Sequence, residues 1–322
     1  MSIEQTSPTP EAEGHQQAVR FEKRFLTPKF WPLWLWFGLL WLISRLPYRA
    51  MRVIGEGVGL LAMKAGKKRR YFAERNLELC FPEKSAAERQ RILRESFKGA
   101  GMALFESGLV WWPKKSNEAL IHFEGFEHIE QLQREGKHIL LFAPHVTCVE
   151  FCFARMGART WFNVLFRVHD NPLWEFMATH GRRHYTLRLI PRKRVKEFLY
   201  HMNQGELGLI AADQDMGKKR SLFAPFFGIP AATIPSITSF AEQTDAEVVF
   251  ASAFRRPGEG FTLRFSKPLD NFPSGDPLAD CTRTNKIVED FVREHPEDYL
   301  WQHRRFKTRP TGEAALYDRK KR

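Results

Sequence analysis

The sequence predicts an α/β fold in which a mainly parallel or mixed central sheet is flanked by helices. Two observations carry this. From about residue 120 onward, short apolar runs alternate with amphipathic stretches, the order of elements from which parallel sheets are built. The runs are also continuously apolar, as in strands covered on both faces. With 322 residues, 43% of them hydrophobic, the chain is long enough to bury a substantial core around such a sheet.

Taken in order, H-I-L-L-F-A-P at 138–144 reads as a buried strand, followed by a helical stretch through Arg155. W-F-N-V-L-F-R at 161–167 reads as a strand and the segment from Asn171 as a helix. L-R-L-I-P at 187–191 precedes an amphipathic helix closed by Gly205, and E-L-G-L-I-A-A-D at 206–213 is again strand-like. E-V-V-F-A-S-A-F (247–254) and F-T-L-R-F (261–265) follow, and a last helix covers about Pro277 to Glu294. Sites in such sheets form at the carboxyl ends of strands, which directs attention to residues 144–150, 167–171 and 213–220.

Ahead of the alternating region, residues 1–28 read as a flexible tail, because Gln, Glu, Ser, Thr and Pro dominate its first 20 positions. Residues 29–70 read as a membrane attachment built on a hydrophobic anchor helix. Phe30 to Ile43 carries no charge; as a helix it covers about 21 Å against a hydrocarbon core of roughly 30 Å, so spanning and lying in the interface are both open. Trp31, Trp34, Trp36 and Trp41 suit an interfacial belt. The cluster K-A-G-K-K-R-R at 64–70 suits anionic headgroups. Cations are more numerous after the apolar run than before it, which places the C-terminal side in the cytoplasm. Residues 71–312 then form the catalytic domain, and 313–322 a basic tail.

Lys and Arg exceed Asp and Glu by 50 to 37, a net charge of +13, which calls for an anionic partner: nucleic acid, an acidic protein or a membrane surface. Clustering of the cations at 64–70, 182–196, 217–220 and 303–309 favours anionic ligands over simple solubility. The four cysteines form no C-x-x-C pair and read as buried thiols in a reducing compartment.

The chemistry-bearing residues lie at the predicted strand ends. H-V-T-C-V-E at 145–150 places His145 in a turn after Pro144 and Glu150 in the following helix. There the carboxylate can fix the imidazole tautomer and leave the other nitrogen to take a proton from an alcohol. Arg167 and Asn171 mark the second strand end; Asn171 before Pro172 also reads as a helix cap. The third is D-Q-D, Asp213, Gln214 and Asp215, whose acids need partners if buried. Two acids could hold a metal, but the adjacent Lys218-Lys219-Arg220 favours an anionic ligand, and neither metal nor cofactor is expected. H-R-R-F-K-T-R-P at 303–310, with Arg304, Arg305 and Lys307, reads as an anion clamp. P-loop, dinucleotide-binding, nucleophilic-serine and zinc signatures are absent. Direct attack by an acceptor alcohol on a thioester needs only a base, an oxyanion donor and positioning.

These residues bring a family into view. From about Lys29 to Gly312 the chain resembles the late (secondary) acyltransferases of lipid A biosynthesis, especially the lauroyl-transferring branch. The matching pieces are W-P-L-W-L (31–35), R-N-L-E-L-C-F-P (75–82), H-x4-E (145–150), F-R-V-H-D-N-P-L (166–173), the G-R of Gly181 and Arg182, D-Q-D (213–215) and W-Q-H-R-R-F-K-T-R-P (301–310). The H-x4-acid motif belongs to a wider superfamily that includes glycerolipid acyltransferases, and Glu150 stands where many relatives have Asp. The resemblance implies an enzyme of the bacterial inner membrane with its domain in the cytoplasm, and no nucleic-acid partner. It implies acyl-acyl carrier protein as donor and an anionic Kdo-bearing lipid A precursor as acceptor, whose 3-hydroxyacyl chain supplies the attacking hydroxyl. Two other readings compete: an acyltransferase acting on a glycerol phosphate, against which the 301–310 motif speaks, and a non-catalytic membrane-surface binder, which would hold lipid without turnover.

Overall fold

The computed structural model describes residues 19–185, 187–256 and 258–318; of the expected tails at 1–28 and 313–322, residues 1–18 and 319–322 lie outside the described residues, while Phe25 and Tyr317 within the rest are buried. Its centre is a seven-stranded mixed sheet made of β1 (Ile121–Glu124), β2 (His138–Phe142), β3 (Phe162–Phe166), β4 (Leu187–Pro191), β5 (Leu207–Ile210), β8 (Ala246–Arg256) and β9 (Gly260–Pro268). The order across the sheet is β1-β9-β8-β2-β5-β3-β4. Strands β8, β2, β5, β3 and β4 are mutually parallel, while β9 and β1 run the other way because β8 and β9 are joined as a hairpin. A separate antiparallel hairpin, β6 (Leu222–Phe226) and β7 (Ile229–Thr233), leaves the sheet after β5.

The connections create a crevice. From β2 the chain passes through α6 (Val149–Met156) to β3, toward one edge; from β5 it passes through the hairpin and α9 (Ser236–Thr244) to β8, toward the other. Right-handed crossovers travelling in opposite directions put their helices on opposite faces. Consistent with this, α6 and α7 (Pro172–Arg182) pack with α4 (Ala86–Trp111), whereas α8 (Val195–Asn203), α9 and α10 (Pro277–Glu294) form a second group. The carboxyl ends of the adjacent strands β2 and β5 therefore face an open switch point, where α/β sheets bind ligands. Beyond β1, α5 (Phe126–Arg134) packs against β9.

Local signals explain the main helices. Ser85 and Glu88 cap α4 reciprocally. Asn171 accepts from Leu173 N and Trp174 N at the start of α7, with Pro172 as its first residue. Helix α2 (Tyr48–Ala65) crosses α4 so closely that a Cβ on Gly55 would come within 2.8 Å of the Met102 Cα, and one on Gly59 or Gly101 would overlap backbone of the opposite helix. Helix α3 (Lys67–Cys80) then runs against the C-terminal segment, Asn76 donating to the carbonyls of Trp301 (2.8 Å) and His303 (2.6 Å). All four cysteines are free and buried.

The anchor expectation needs correction. Residues 31–44 form α1 (Trp31–Ser44), a helix of 14 residues, and no helix among the described residues is long and apolar enough to cross a membrane. One side of α1 belongs to the core. Phe37, Leu40 and Ile43 are buried, with the Phe37 ring 5.8 Å from that of Trp111 and 5.6 Å from that of Trp174. The other side leaves Trp31, Leu35, Leu39 and Leu42 exposed, and α2 adds Val53, Ile54 and Leu61. An uncharged run thus reflects one stripe facing protein and one facing outward, which hydropathy alone cannot separate from a spanning segment.

Candidate functional site

His145 lies in the turn between β2 and α6, at the switch point. Its backbone N–H donates to Asp213 Oδ2 (3.0 Å), and its ring Nδ1 shares a short hydrogen bond with Asp213 Oδ1. Asp213 follows β5, the immediate neighbour of β2, so sheet order brings the two residues together across 68 positions of sequence. Backbone hydrogen bonds fix the turn from the far side: Leu300 N donates to His145 O (3.0 Å) and Thr147 N to Asp298 O (2.9 Å).

Electrostatics follow from this geometry. Burial works against a charged imidazole, but the Asp213 carboxylate outweighs it and raises the His145 pKa above the ordinary 6.5. Burial likewise opposes the Asp213 charge, yet His145, through its ring and its backbone N–H, holds that carboxyl down at about 2, with Arg305 adding to the effect. Asp213 stays ionised, its side chain only 4% exposed, while the His145 side chain keeps 30% of its surface open. With Nδ1 bound to a carboxylate, Nε2 is the nitrogen left to exchange a proton. Tyr299 borders the same carboxylate; burial first and Asp213 second push its phenol well above the usual range, so it remains protonated. His303 is nearby, and burial pushes its imidazole down to about 4, leaving it neutral at physiological pH. Neither Tyr299 nor His303 was separable by sequence from the aromatic and basic residues beside it.

Glu150 does not occupy the position that sequence reading gives it. It stands in the first turn of α6, where its Oε1 accepts from Arg182 Nε (3.2 Å) and from the Trp111 indole (3.2 Å). The expected tautomer-fixing carboxylate is Asp213 instead. The reason is local: α6 starts only at Val149, so Glu150 falls in the first turn rather than the second and is turned toward Trp111 of α4 and Arg182 of α7. Arg182 is thereby held at the end of α7 by an ion pair. Trp111 carries no motif of its own; its position as the last residue of a helix of 26 residues emerges only once α4 is folded.

The remaining candidates separate by location. Arg167 is 64% exposed and pairs with Asp170, and Asn171 is occupied as the α7 cap. Gln214 is half-buried between the two acids. Asp215 is buried and turned to the C-terminal segment, accepting from Thr308 N (2.6 Å), the Thr308 hydroxyl (2.8 Å) and Gly217 N (2.9 Å). Lys307 pairs with the same carboxylate at 3.7 Å. Arg305 is buried, donating to Ala232 O (2.9 Å), Thr233 Oγ1 (3.0 Å) and Asn285 Oδ1 (3.3 Å), while Arg304 lies 5.4 Å over the Phe72 ring. The basic C-terminal motif is therefore largely a brace joining α3, β7 and α10 to the loop after β5, rather than a free clamp. Among the described residues no group of three His, Cys, Asp or Glu side chains could hold a metal ion.

Comparison with known proteins gives the chain its relatives. The family model described as bacterial lipid A biosynthesis acyltransferase matches residues 18–308. The chain is 34% identical to the lipid A biosynthesis palmitoleoyltransferase of Escherichia coli K12 over 301 residues, covering 92% of this chain and 98% of that protein. It is 35% identical to the lauroyltransferase of the same organism, with the same coverage. Its identity to the myristoyltransferase of that organism is 31% over 305 residues, or 93% of this chain and 94% of the relative.

Proposed function

The chain belongs to the bacterial lipid A biosynthesis acyltransferases, and we propose that it moves a fatty acyl chain, laurate or one of similar length, from acyl-acyl carrier protein to a hydroxyacyl chain of a Kdo-bearing lipid A precursor. The observation that supports the chemistry is the imidazole of His145, oriented by a buried carboxylate at the mouth of the crevice. In this reading Nε2 takes the proton of the acceptor hydroxyl as its oxygen attacks the thioester carbonyl carbon. The tetrahedral intermediate collapses, the carbon–sulfur bond breaks, and the imidazolium returns the proton to the leaving thiolate. In this reading Arg182, which pairs with Glu150 at 3.1 Å, is the cation that meets negative charge developing at the reacting centre.

We place the protein at the cytoplasmic face of the inner membrane. The exposed apolar stripes of α1 and α2 lie ahead of the cations at 64–70, an apolar and an electrostatic contact of the kind that attach together more firmly than either alone. Replacing Leu35, Leu39 and Leu42 by Ser is expected to reduce co-sedimentation with anionic vesicles while sparing turnover on detergent-dispersed acceptor. The reaction itself is tested by product mass after incubating purified protein with several acyl-carrier donors and either a Kdo-bearing lipid A precursor or a glycerol phosphate. A mass gain of one acyl chain on the lipid A precursor is the expected result; acylation of the glycerol phosphate alone would transfer the protein to the other acceptor class.

A further inference from the structure

Behind the turn that carries His145 lies a second cavity of about 320 Å³, within the size range of small-ligand sites. Its floor includes Arg255, whose buried guanidinium donates to the Thr147 hydroxyl and to Glu106 (2.6 Å) and pairs with Asp298 at 3.3 Å. Because Thr147 is two residues from His145 and also donates to Asp298 O, cavity and base share one support. The walls come from α2, with Arg52 and Glu56, and from α4, with Arg91 and Lys98; Glu297 and the turn between β8 and β9 close it.

The lining offers two kinds of group to a ligand. Arg255 is satisfied by its carboxylates and Lys98 by Glu95 at 2.8 Å. Arg52 Nε faces Glu56 at 3.5 Å without a hydrogen bond, and Arg256 pairs with Glu259 at 2.9 Å through its terminal nitrogen while its Nε is buried without a hydrogen-bond partner. Buried N–H groups in that condition cost free energy that a ligand oxygen recovers, and a guanidinium matches phosphate or carboxylate in shape. Glu56 and Glu297 supply acceptors for hydroxyl groups. The ligand that fits both is an anion rich in hydroxyls. Helix α2, the outer wall, turns Val53, Ile54 and Leu61 outward, so a headgroup in the cavity would sit directly beneath the surface proposed to meet lipid.

We propose that this cavity holds the anionic sugar headgroup of the acceptor while the chain that bears the attacking hydroxyl extends to His145 and the other acyl chains remain in the bilayer, an assignment that rests on the acceptor class proposed above. The test is titration of the full-length, detergent-solubilised protein with glucose 1-phosphate, inorganic phosphate and methyl glucoside, followed by ligand-observed NMR. Glucose 1-phosphate is expected to bind at least about ten-fold more tightly than either fragment, and the Arg52→Ala/Arg91→Ala protein to lose about ten-fold or more of that affinity at unchanged thermal midpoint. In turnover, glucose 1-phosphate should compete with the lipid acceptor, and the double variant should raise the acceptor KM with little change in kcat. Equal binding to both proteins, or inhibition that is not competitive with acceptor, overturns the headgroup assignment while leaving lipid A acylation standing. Arginine-dependent binding in a protein that does not acylate the lipid A precursor overturns it from the other side, by removing the acceptor.

Discussion

Asp213 follows β5 and Glu150 stands in the first turn of α6 after β2, and the fold gives these two carboxylates opposite surroundings. Asp213 is 4% exposed, held ionised by an imidazole and a backbone N–H; Glu150 is 30% exposed and holds a guanidinium and an indole. One carboxylate tunes a base, the other places a cation. The difference teaches that spacing in a motif and partnership in space are separate properties: Glu150 is the acid five residues from His145, yet the acid on the ring comes from the neighbouring strand.

The comparison can be broken most directly at its centre. His145→Ala is expected to lower kcat by about 10²–10⁴-fold with modest change in thermal midpoint; near-normal turnover in a folded variant would remove the base. Asp213→Asn should follow with a loss of about 10²-fold or more, since the amide can no longer hold the ring as the carboxylate does. The pH dependence carries a sign. The raised His145 pKa means activity falls as pH drops through a value above 6.5, and without the Asp213 charge, burial is left to act alone, so the acid limb moves to lower pH. Glu150→Ala leaves Arg182 and Trp111 without their acceptor, and misplacing the cation is expected to cost about 10–10²-fold in kcat/KM without moving the acid limb.

Asp215, two residues from Asp213, sharpens the contrast from the structural side. Asp215→Ala removes the acceptor of Thr308 and Gly217 and is expected to cost about 1–3 kcal/mol of stability, read as a lower thermal midpoint with an unchanged pH profile.

Short apolar runs marked β2, β3, β5, β8 and β9, most plainly β2 and β5, because a strand buried on both faces leaves a local trace, whereas L-R-L-I-P, which forms β4, read only as the segment ahead of a helix. What sequence did not carry was anything set by neighbours across the sheet. The hairpin of β6 and β7, rich in Pro and Phe, has no period that marks it as paired. The reversal of β9 and β1 depends on the tight connection between β8 and β9 and on which edge the strands join. His145 and Asp213 were each legible as strand-end residues, but their pairing follows from β5 lying beside β2, which no spacing encodes. Arg305 read as an exposed clamp for the same reason: its three acceptors come from β7 and α10, distant in sequence and invisible to a count of local charge.

The central claim, that Asp213 and not Glu150 governs the His145 imidazole, is tested most directly by an NMR titration of the histidine ring. The protein is labelled at histidine Cε1 and the His145 signal assigned by its loss in His145→Ala. The account predicts a pKa above 6.5 in the unsubstituted protein, a clear fall in Asp213→Asn, and little change in Glu150→Gln. A fall in Glu150→Gln with Asp213→Asn unmoved would contradict it.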